Sequence, residues 1–172
     1  MKPLYMIGCV NEIGKRQKAD NVSGLLGESG FREYMNQLDT PLETGYLLRI
    51  GIDHFKEIND NFGQEYGDFV LKKTAECISG CTSEGQKVYK LVADEFLILD
   101  VASDEAKDAD KLYDKVREAI DRFIETNEFK VMYTVSGGIV PFAALKGNQC
   151  SEALKLTDFA LNEAKKLSLI HI

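Results

Sequence analysis

One apolar run of strand length constrains the fold of this chain more than any other feature. Residues Tyr46–Ile52 read YLLRIGI and are almost continuously apolar. A strand that is apolar on both sides must be covered on both faces of its sheet, which is typical of α/β proteins. The run therefore predicts a central strand with helices above and below it. Polar residues follow at once, at Asp53 and His54, where ligands of α/β sheets tend to bind.

Hydrophobic periodicity predicts the other elements, in an order that fits one mixed sheet with helices packed on its faces. The other predicted strands are Leu4–Val10, the hairpin pair Lys87–Leu91 and Glu95–Val101, and Lys130–Ile139. The predicted helices are a connecting helix over Asn11–Asp20, a segment over Phe31–Leu38, then Phe55–Phe62, Tyr66–Cys81, an apolar stripe from Leu112 to Phe123, and Ser151–Leu167. Gly24, Gly27 and Gly30 predict a loop.

Side-chain spacing also predicts which residues face the core and where one helix begins. We expect Phe69, Val70, Thr74, Cys77 and Ile78 to face inward from their helix, and Leu154, Leu161 and Ala164 from the last one. Ser103 is a candidate N-cap, with Asp104 and Glu105 in the first turn that follows.

Composition and charge exclude several classes of function. The 172 residues carry a formal charge of −7, which argues against nucleic-acid binding because that rests on clustered Lys and Arg. No apolar run approaches the roughly 20 residues of a membrane helix, and the N-terminal one ends too early for a secretory signal. The four cysteines lack the density of a disulfide scaffold or the spacing of a zinc site. We therefore expect a cytoplasmic protein and interpret Cys77 and Cys81 as core or surface thiols.

Two polar clusters are candidates for chemistry. The first is Ile52–Asp60 with Gly67 and Asp68, just beyond the buried strand. The second is Val92–Phe96, at the tip of the predicted hairpin. Paired acids at such a tip can hold Mg²⁺, which prefers carboxylate and phosphate oxygens. Each cluster alone also fits a solvated turn or a polar helix surface.

Together the clusters resemble the GGDEF family of diguanylate cyclases. The resemblance runs in order through residues 20–166, each segment being similar to a family motif: Asp20–Leu25 to D-x-L-T-G-L, Gly51–Asp60 to D-I-D-H-F-K-x-I-N-D, Gly63–Asp68 to G-H-x-x-G-D, Lys90–Phe96 to R-x-G-G-D-E-F, Thr134–Ile139 to T-x-S-x-G-I, and Thr157–Lys165 to A-D-x-A-L-Y-x-A-K. It implies an α/β GGDEF fold with a mixed five-stranded sheet and nucleotide-cyclase, ferredoxin-like topology.

The resemblance also implies a reaction and a set of site residues. The family condenses two GTP into cyclic di-GMP across a homodimer. Carried over by position, Asn59 and Asp68 would bind the guanine edge, and Lys165 would reach a phosphate. The backbone at His54, Phe55 and Lys56 would meet phosphates at a helix start, which the helix dipole also favours. The Ile52 carbonyl and the Asp94 carboxylate would bind Mg²⁺, with Asp94 and Glu95 as the candidate catalytic acids.

Three departures from the family pattern predict impaired catalysis and weak or absent Mg²⁺ binding. Gly51 stands where the family has its first metal-binding aspartate, and Asp53 lies about 7 Å further along a continuous strand. Val92 and Ala93 replace two glycines, so either the turn has another shape or Val92 fills the guanosine space; for packing, we expect Val92 to extend the strand. Ser83–Gln86 lacks the R-x-x-D of the family's product-inhibition site.

The ends of the chain predict further domains. Residues 1–19 resemble the last strand of a PAS sensor and its exit helix. Leu167–Ile172 replaces the family's usual continuation, and we interpret it as a non-native tail. We expect a degenerate GGDEF domain that regulates a tethered EAL phosphodiesterase or other output domain, with GTP binding or dimerisation as its means. The alternatives are an active cyclase and a structural module without nucleotide binding.

Overall fold

The computed structural model describes residues 18–103, 107–127, 131–145 and 150–170, with side chains described up to residue 167. Its strands are β1 Leu26–Gly27, β2 Tyr46–Ile52, β3 Gln86–Lys90, β4 Glu95–Asp100 and β5 Val135–Pro141. Its helices are α1 Glu28–Asn36, α2 Phe55–Phe62, α3 Gln64–Cys81, α4 Lys107–Thr126 and α5 Cys150–Ile170, with a 3₁₀ turn at Phe142–Ala144. None of these helices combines the length and apolar character needed to cross a bilayer.

The strands form one mixed sheet in the order β1-β3-β4-β2-β5. β1 runs parallel to β3, and the β3–β4, β4–β2 and β2–β5 pairs are antiparallel. The predicted five-stranded mixed sheet is thus confirmed. All seven residues of β2 are buried, as the apolar run predicts.

Alternation along β2 divides the interior into two cores, one on each face of the sheet. Leu48 and Ile50 pack with residues of α3 and α4 on one face. Leu47 packs with residues of α1 and α5 on the other face. The predicted α/β sandwich is therefore confirmed, with three layers. Arg49 and Gly51 alternate with Leu48 and Ile50, so they lie on the α5 side of the sheet.

Several boundary and burial predictions are wrong. Residues 18–20 are not helical, because Ala19 forms a bridge with Leu26. The predicted glycine loop contains β1 and the start of α1. The last strand begins at Val135 rather than near residue 130. Phe69 is 41% exposed rather than inward, since it packs beside Tyr66 on the surface.

Other sequence predictions are matched only in part. Cys77, Ala119, Phe123 and Ala164 are half-buried where the spacing predicts a core position. The Ser103 hydroxyl donates to Asp100 at 2.8 Å, and the helix turn that it was predicted to cap lies outside the described residues. The predicted strand Leu4–Val10 also lies outside them.

Asp100 closes β4 with a buried carboxylate that four donors satisfy. It is 1% exposed and accepts hydrogen bonds from the Gln86 amide, the Ala102 and Ser103 N–H groups and the Ser103 hydroxyl, at 2.7–2.9 Å. Burial alone would raise the pKa of Asp100, but these hydrogen bonds hold it below its ordinary value of 3.8. The ionised carboxylate is therefore what stabilises this turn.

We expect Asp100→Ala to lower the free energy of unfolding by about 2 kcal/mol at pH 7, because it leaves buried donors unpaired. A carboxyl group whose pKa is lower in the folded state stabilises the protein at pH values above its ordinary pKa. That stabilisation is lost as the pH falls through the folded-state pKa. The difference in free energy of unfolding between variant and wild type should thus become smaller below pH 3.8. Urea denaturation across acid pH measures it, with exposed Glu118→Ala as the control; a difference that stays constant with pH would contradict this assignment.

Candidate functional site

The loop after β2 is anchored by Asp53. Its buried carboxylate accepts hydrogen bonds from the Thr134 hydroxyl at 2.6 Å and the Ser136 hydroxyl at 2.7 Å. Its N–H donates to the Thr134 carbonyl at 2.9 Å. Asp53 therefore joins the end of β2 to the start of β5, and its oxygens are engaged there. It does not replace the carboxylate that is missing at Gly51.

His54 gives α2 a distinctive start. Its backbone is left-handed, with φ 56° and ψ 31°, a conformation that non-glycine residues adopt infrequently and often at functional sites. Its Nδ1 lies 3.1 Å from a carboxylate oxygen of Glu57. The first N–H groups of a helix have no acceptor within the helix, so this end is suited to an anion. His54 and Lys56 are exposed and Phe55 is half-buried, as a phosphate-facing turn requires.

Asn59 carries a polar atom that lacks a partner. Its side-chain oxygen is buried and accepts no hydrogen bond from any residue that the structure describes. Buried polar atoms in proteins are nearly always paired, so an exception calls for a ligand or water. Gly67 makes room for this side chain: a Cβ atom there would lie 1.8 Å from the Asn59 oxygen. The half-buried Asp68 follows at once, so both predicted guanine-binding residues lie at the α2–α3 junction.

The hairpin tip has its own shape. β3 ends at Lys90, and Val92 is 70% exposed, so the expectation that Val92 extends the strand is wrong. Ala93, at φ 54°, takes the left-handed conformation. The buried Lys90 ammonium donates to the carbonyls of Leu91 and Ala93 and so stabilises the turn. Burial lowers the pKa of Lys90, against the opposing influence of Asp20, Asp94 and Glu95.

Lys165 brings the predicted metal ligands together. Its ammonium on α5 donates to the backbone carbonyl of Ile52 at 3.4 Å and to the Asp94 carboxylate at 3.2 Å. The Ile52 N–H donates to the Asp94 carbonyl at 3.3 Å, which fixes the hairpin tip beside β2. Ile52, Asp94 and Lys165 therefore form one cluster, as the resemblance implies. A lysine ammonium lies between the two oxygens that were predicted to hold Mg²⁺.

Glu95, the second predicted catalytic acid, is held by a residue that sequence reasoning missed. Arg49 is 7% exposed and donates through Nε to Glu95 at 2.7 Å, with a second contact through Nη2. It also donates to the Leu154 carbonyl at 3.1 Å and lies 3.3 Å from an Asp158 oxygen. A charge inside a doubly covered strand requires such partners, and that is the signal by which the sequence alone would have singled out Arg49.

The donor set at this end of the sheet does not fit the Mg²⁺ site that the resemblance implies. Ile52 and Asp94 supply two oxygens, and Gly51 supplies none. Glu95 is bound to Arg49, and Asp53 to two hydroxyls. The residues that the structure describes include no group of three or more His, Cys, Asp or Glu side chains placed to hold a metal.

One cavity lies away from the cluster of Ile52, Asp94 and Lys165. Its volume is about 530 Å³, and it opens between α2, the end of α4 and the segment before β5. Asp53 and His54 border it, together with Phe62, Asp121 and Met132. Among its described lining residues are neither Asn59 and Asp68 nor Asp94 and Lys165. Of the predicted site residues, the described lining of this cavity includes His54 alone.

Comparison with known proteins agrees with the resemblance. The family described as "Diguanylate cyclase, GGDEF domain" matches residues 18–168. The probable diguanylate cyclase DgcT of Escherichia coli is 31% identical over 144 residues, covering 79% of this chain and 30% of that protein. The cyclic di-GMP phosphodiesterase NbdA of Pseudomonas aeruginosa is 29% identical over 151 residues, covering 85% and 19%. The chain thus spans less than a third of either relative.

Solved structures show the same fold. The GGDEF domain of TpbB, also called YfiN, from Pseudomonas aeruginosa superposes with a TM-score of 0.75 at 25% identity, covering 87% of this chain and 90% of that one. The S helix-GGDEF-EAL structure of LapD from Vibrio cholerae, bound to c-di-GMP, superposes with a TM-score of 0.71 at 18% identity. The match covers 94% of this chain and 37% of that one. With this sheet order and a family match over residues 18–168, this chain belongs to the GGDEF domain family of diguanylate cyclases.

Proposed function

We propose that this GGDEF domain makes no cyclic di-GMP and acts as a relay in cyclic di-GMP signalling. The observation that supports this most is the Lys165 ammonium between the Ile52 carbonyl and Asp94, beside a residue 51 that has no carboxylate. In phosphoryl transfer, metal ions neutralise charge and align the attacking and leaving oxygens. Altering outer-shell groups alone costs roughly 10–100-fold, so the loss of a direct ligand should cost at least as much.

GTP is the ligand that the remaining residues suit best. The edge of guanine presents N–H donors, which the buried, unpaired oxygen of Asn59 and the carboxylate of Asp68 can accept. The free N–H groups at the start of α2 favour phosphate, and Lys165 supplies a positive charge. GTP binding would then change the stability of the domain or its dimerisation, and the GTP would not be converted.

Gly67→Ala should abolish most of the stabilisation that GTP confers. The new Cβ would lie 1.8 Å from the Asn59 oxygen and 3.3 Å from Phe55 Cζ, so the Asn59 side chain must leave its position. Alanine suits a helix better than glycine, so the fold itself should survive. Thermal unfolding with and without GTP measures the effect, since a ligand that binds only the folded state raises the melting temperature.

Three comparisons make this result specific. Gly80→Ala lies in the same helix, where a Cβ would meet nothing within 4 Å, so its response to GTP should equal that of wild type. Asn59→Ala should lose the response as Gly67→Ala does, and CTP should give no response in any variant. Wild type that shows no shift with GTP would remove nucleotide binding from the proposal and favour a structural dimerisation module.

The proposed relay connects a sensor to an output domain. We propose an upstream PAS-like domain and a downstream EAL domain as tethered partners, with a homodimer as the working unit. LapD, by its description, joins an S helix, a GGDEF and an EAL domain, and NbdA is a cyclic di-GMP phosphodiesterase. Sequencing the surrounding locus tests this proposal, and a reading frame without either neighbouring domain would contradict it.

An active cyclase is the competing function. Asp94 remains at the hairpin tip, and Lys165 lies within 3.2 Å of it. Several relatives are described as diguanylate cyclases. This reading requires Asp94 and Glu95 to suffice for the metal ions, which the contact between Glu95 and Arg49 opposes.

A further inference from the structure

We infer that Lys165 occupies the cation position of this site, so that the domain balances the charge of its hairpin acids with its own side chains. The inference concerns the regulation of the site described above and rests on its assignment as the GGDEF nucleotide site. Two acidic residues at the tip, Asp94 and Glu95, each contact a cation of the chain. Asp94 contacts Lys165, and Glu95 contacts Arg49.

Gly51 and the position of Lys165 depend on each other. A Cβ at residue 51 would lie 2.9 Å from both Cε and Nζ of Lys165, and 3.1 Å from Leu161 Cδ2. Any larger side chain at residue 51 would therefore press on the end of the lysine. The glycine removes a carboxylate and at the same time opens the space that the ammonium enters. Gly51 thus accounts both for the missing carboxylate and for the space that the Lys165 ammonium occupies.

Burial makes the two ion pairs matter. The Asp94 and Glu95 side chains are each 16% exposed, and those of Lys165 and Arg49 are 28% and 9% exposed. Charges that are largely withdrawn from water are screened less than exposed ones. A divalent ion approaching Ile52 and Asp94 would meet the Lys165 ammonium within a few ångströms, and repulsion at that distance is large. The lysine must therefore leave before a metal ion can bind.

Manganese binding without nucleotide tests this inference, because free Mn²⁺ gives a direct electron paramagnetic resonance signal. Lys165→Met frees the Ile52 carbonyl and Asp94 from the ammonium, and we expect it to tighten Mn²⁺ binding by about tenfold or more. Lys166→Met is the matched control, since Lys166 pairs with Glu163 on the exposed side of α5. It should leave Mn²⁺ binding unchanged. Asp94→Asn added to Lys165→Met should abolish the gain.

A second variant keeps the test decisive if Lys165→Met does not fold. Gly51→Ala adds no oxygen ligand but intrudes on the lysine end, so it should also tighten Mn²⁺ binding. Wild type that binds Mn²⁺ as tightly as either variant would overturn the inference. Since no GTP is present, this outcome is distinct from failure of the proposed function, which would appear as a missing GTP response in wild type.

Discussion

Replacing Gly138 with alanine is expected to lower the free energy of unfolding by about 3 kcal/mol, since overpacking against rigid atoms is costly. Gly138 lies on β5 under α5. A Cβ there would come within 2.4 Å of the Leu161 nitrogen and 2.7 Å of the Ala160 carbonyl carbon. Both are backbone atoms, so the whole helix has to move. Denaturant unfolding measures the loss.

The control for this prediction is Gly80→Ala in α3. That position has open space around it, and alanine in a helix is better than glycine by up to about 1 kcal/mol. The two alanine substitutions should therefore change stability in opposite directions. Equal stability of Gly138→Ala and wild type would contradict the close approach of α5 to the sheet. That approach is also what carries Lys165 to Asp94.

Replacing Arg49 with methionine is the second large effect that we expect. Removing one partner of a buried ion pair costs about 3–5 kcal/mol, because the remaining charge stays buried and unpaired. Arg49→Met leaves the Glu95 carboxylate without its cation and removes the contacts of Arg49 with the Leu154 carbonyl and Asp158. We expect a loss at the lower end of that range. Because two of these partners lie on α5, we also expect faster amide exchange in that helix. Chemical denaturation and amide exchange of α5 measure both effects.

A double-mutant cycle separates the charge from the packing. Adding Glu95→Leu to Arg49→Met removes both charges, and buried pairs replaced by apolar residues are often neutral. The double variant should therefore recover much of the lost stability. Exposed Arg117→Met, whose nearest acid is Asp114 at 3.8 Å, should have little effect. A double variant that is less stable than Arg49→Met would show that Glu95 does not depend on Arg49.

The fold was predictable where local pattern and tertiary structure agree. The run YLLRIGI predicted β2 over Tyr46–Ile52, and helical spacing predicted α2 over Phe55–Phe62; both bounds are confirmed. β1 has only two residues, so it has no periodicity to detect. The start of β5 was misplaced because β5 pairs with β2, and that pairing begins with Val135 opposite Ile52, the last residue of β2.

The resemblance predicted residues for one site, but it did not predict their contacts. Motif spacing placed Asn59, Asp68, Asp94 and Lys165 at one end of the sheet, and the structure brings Asp94, Ile52 and Lys165 together. A charge within an apolar run marks Arg49 as a residue that needs buried partners, but local sequence could not identify those partners because they are 46 and 105 residues away. Whether Lys165 or a metal ion lies beside Asp94 depends on the space next to Gly51. Local sequence patterns do not predict that space.

The most direct test of whether this domain converts GTP is to incubate it with GTP and Mg²⁺ or Mn²⁺. The nucleotides are then separated by chromatography. We expect intact GTP and no cyclic di-GMP from wild type, because the Lys165 ammonium lies between the two predicted Mg²⁺ ligands and Gly51 has no carboxylate. Sustained formation of cyclic di-GMP, lost on Asp94→Asn, would contradict it and show that this domain is an active cyclase.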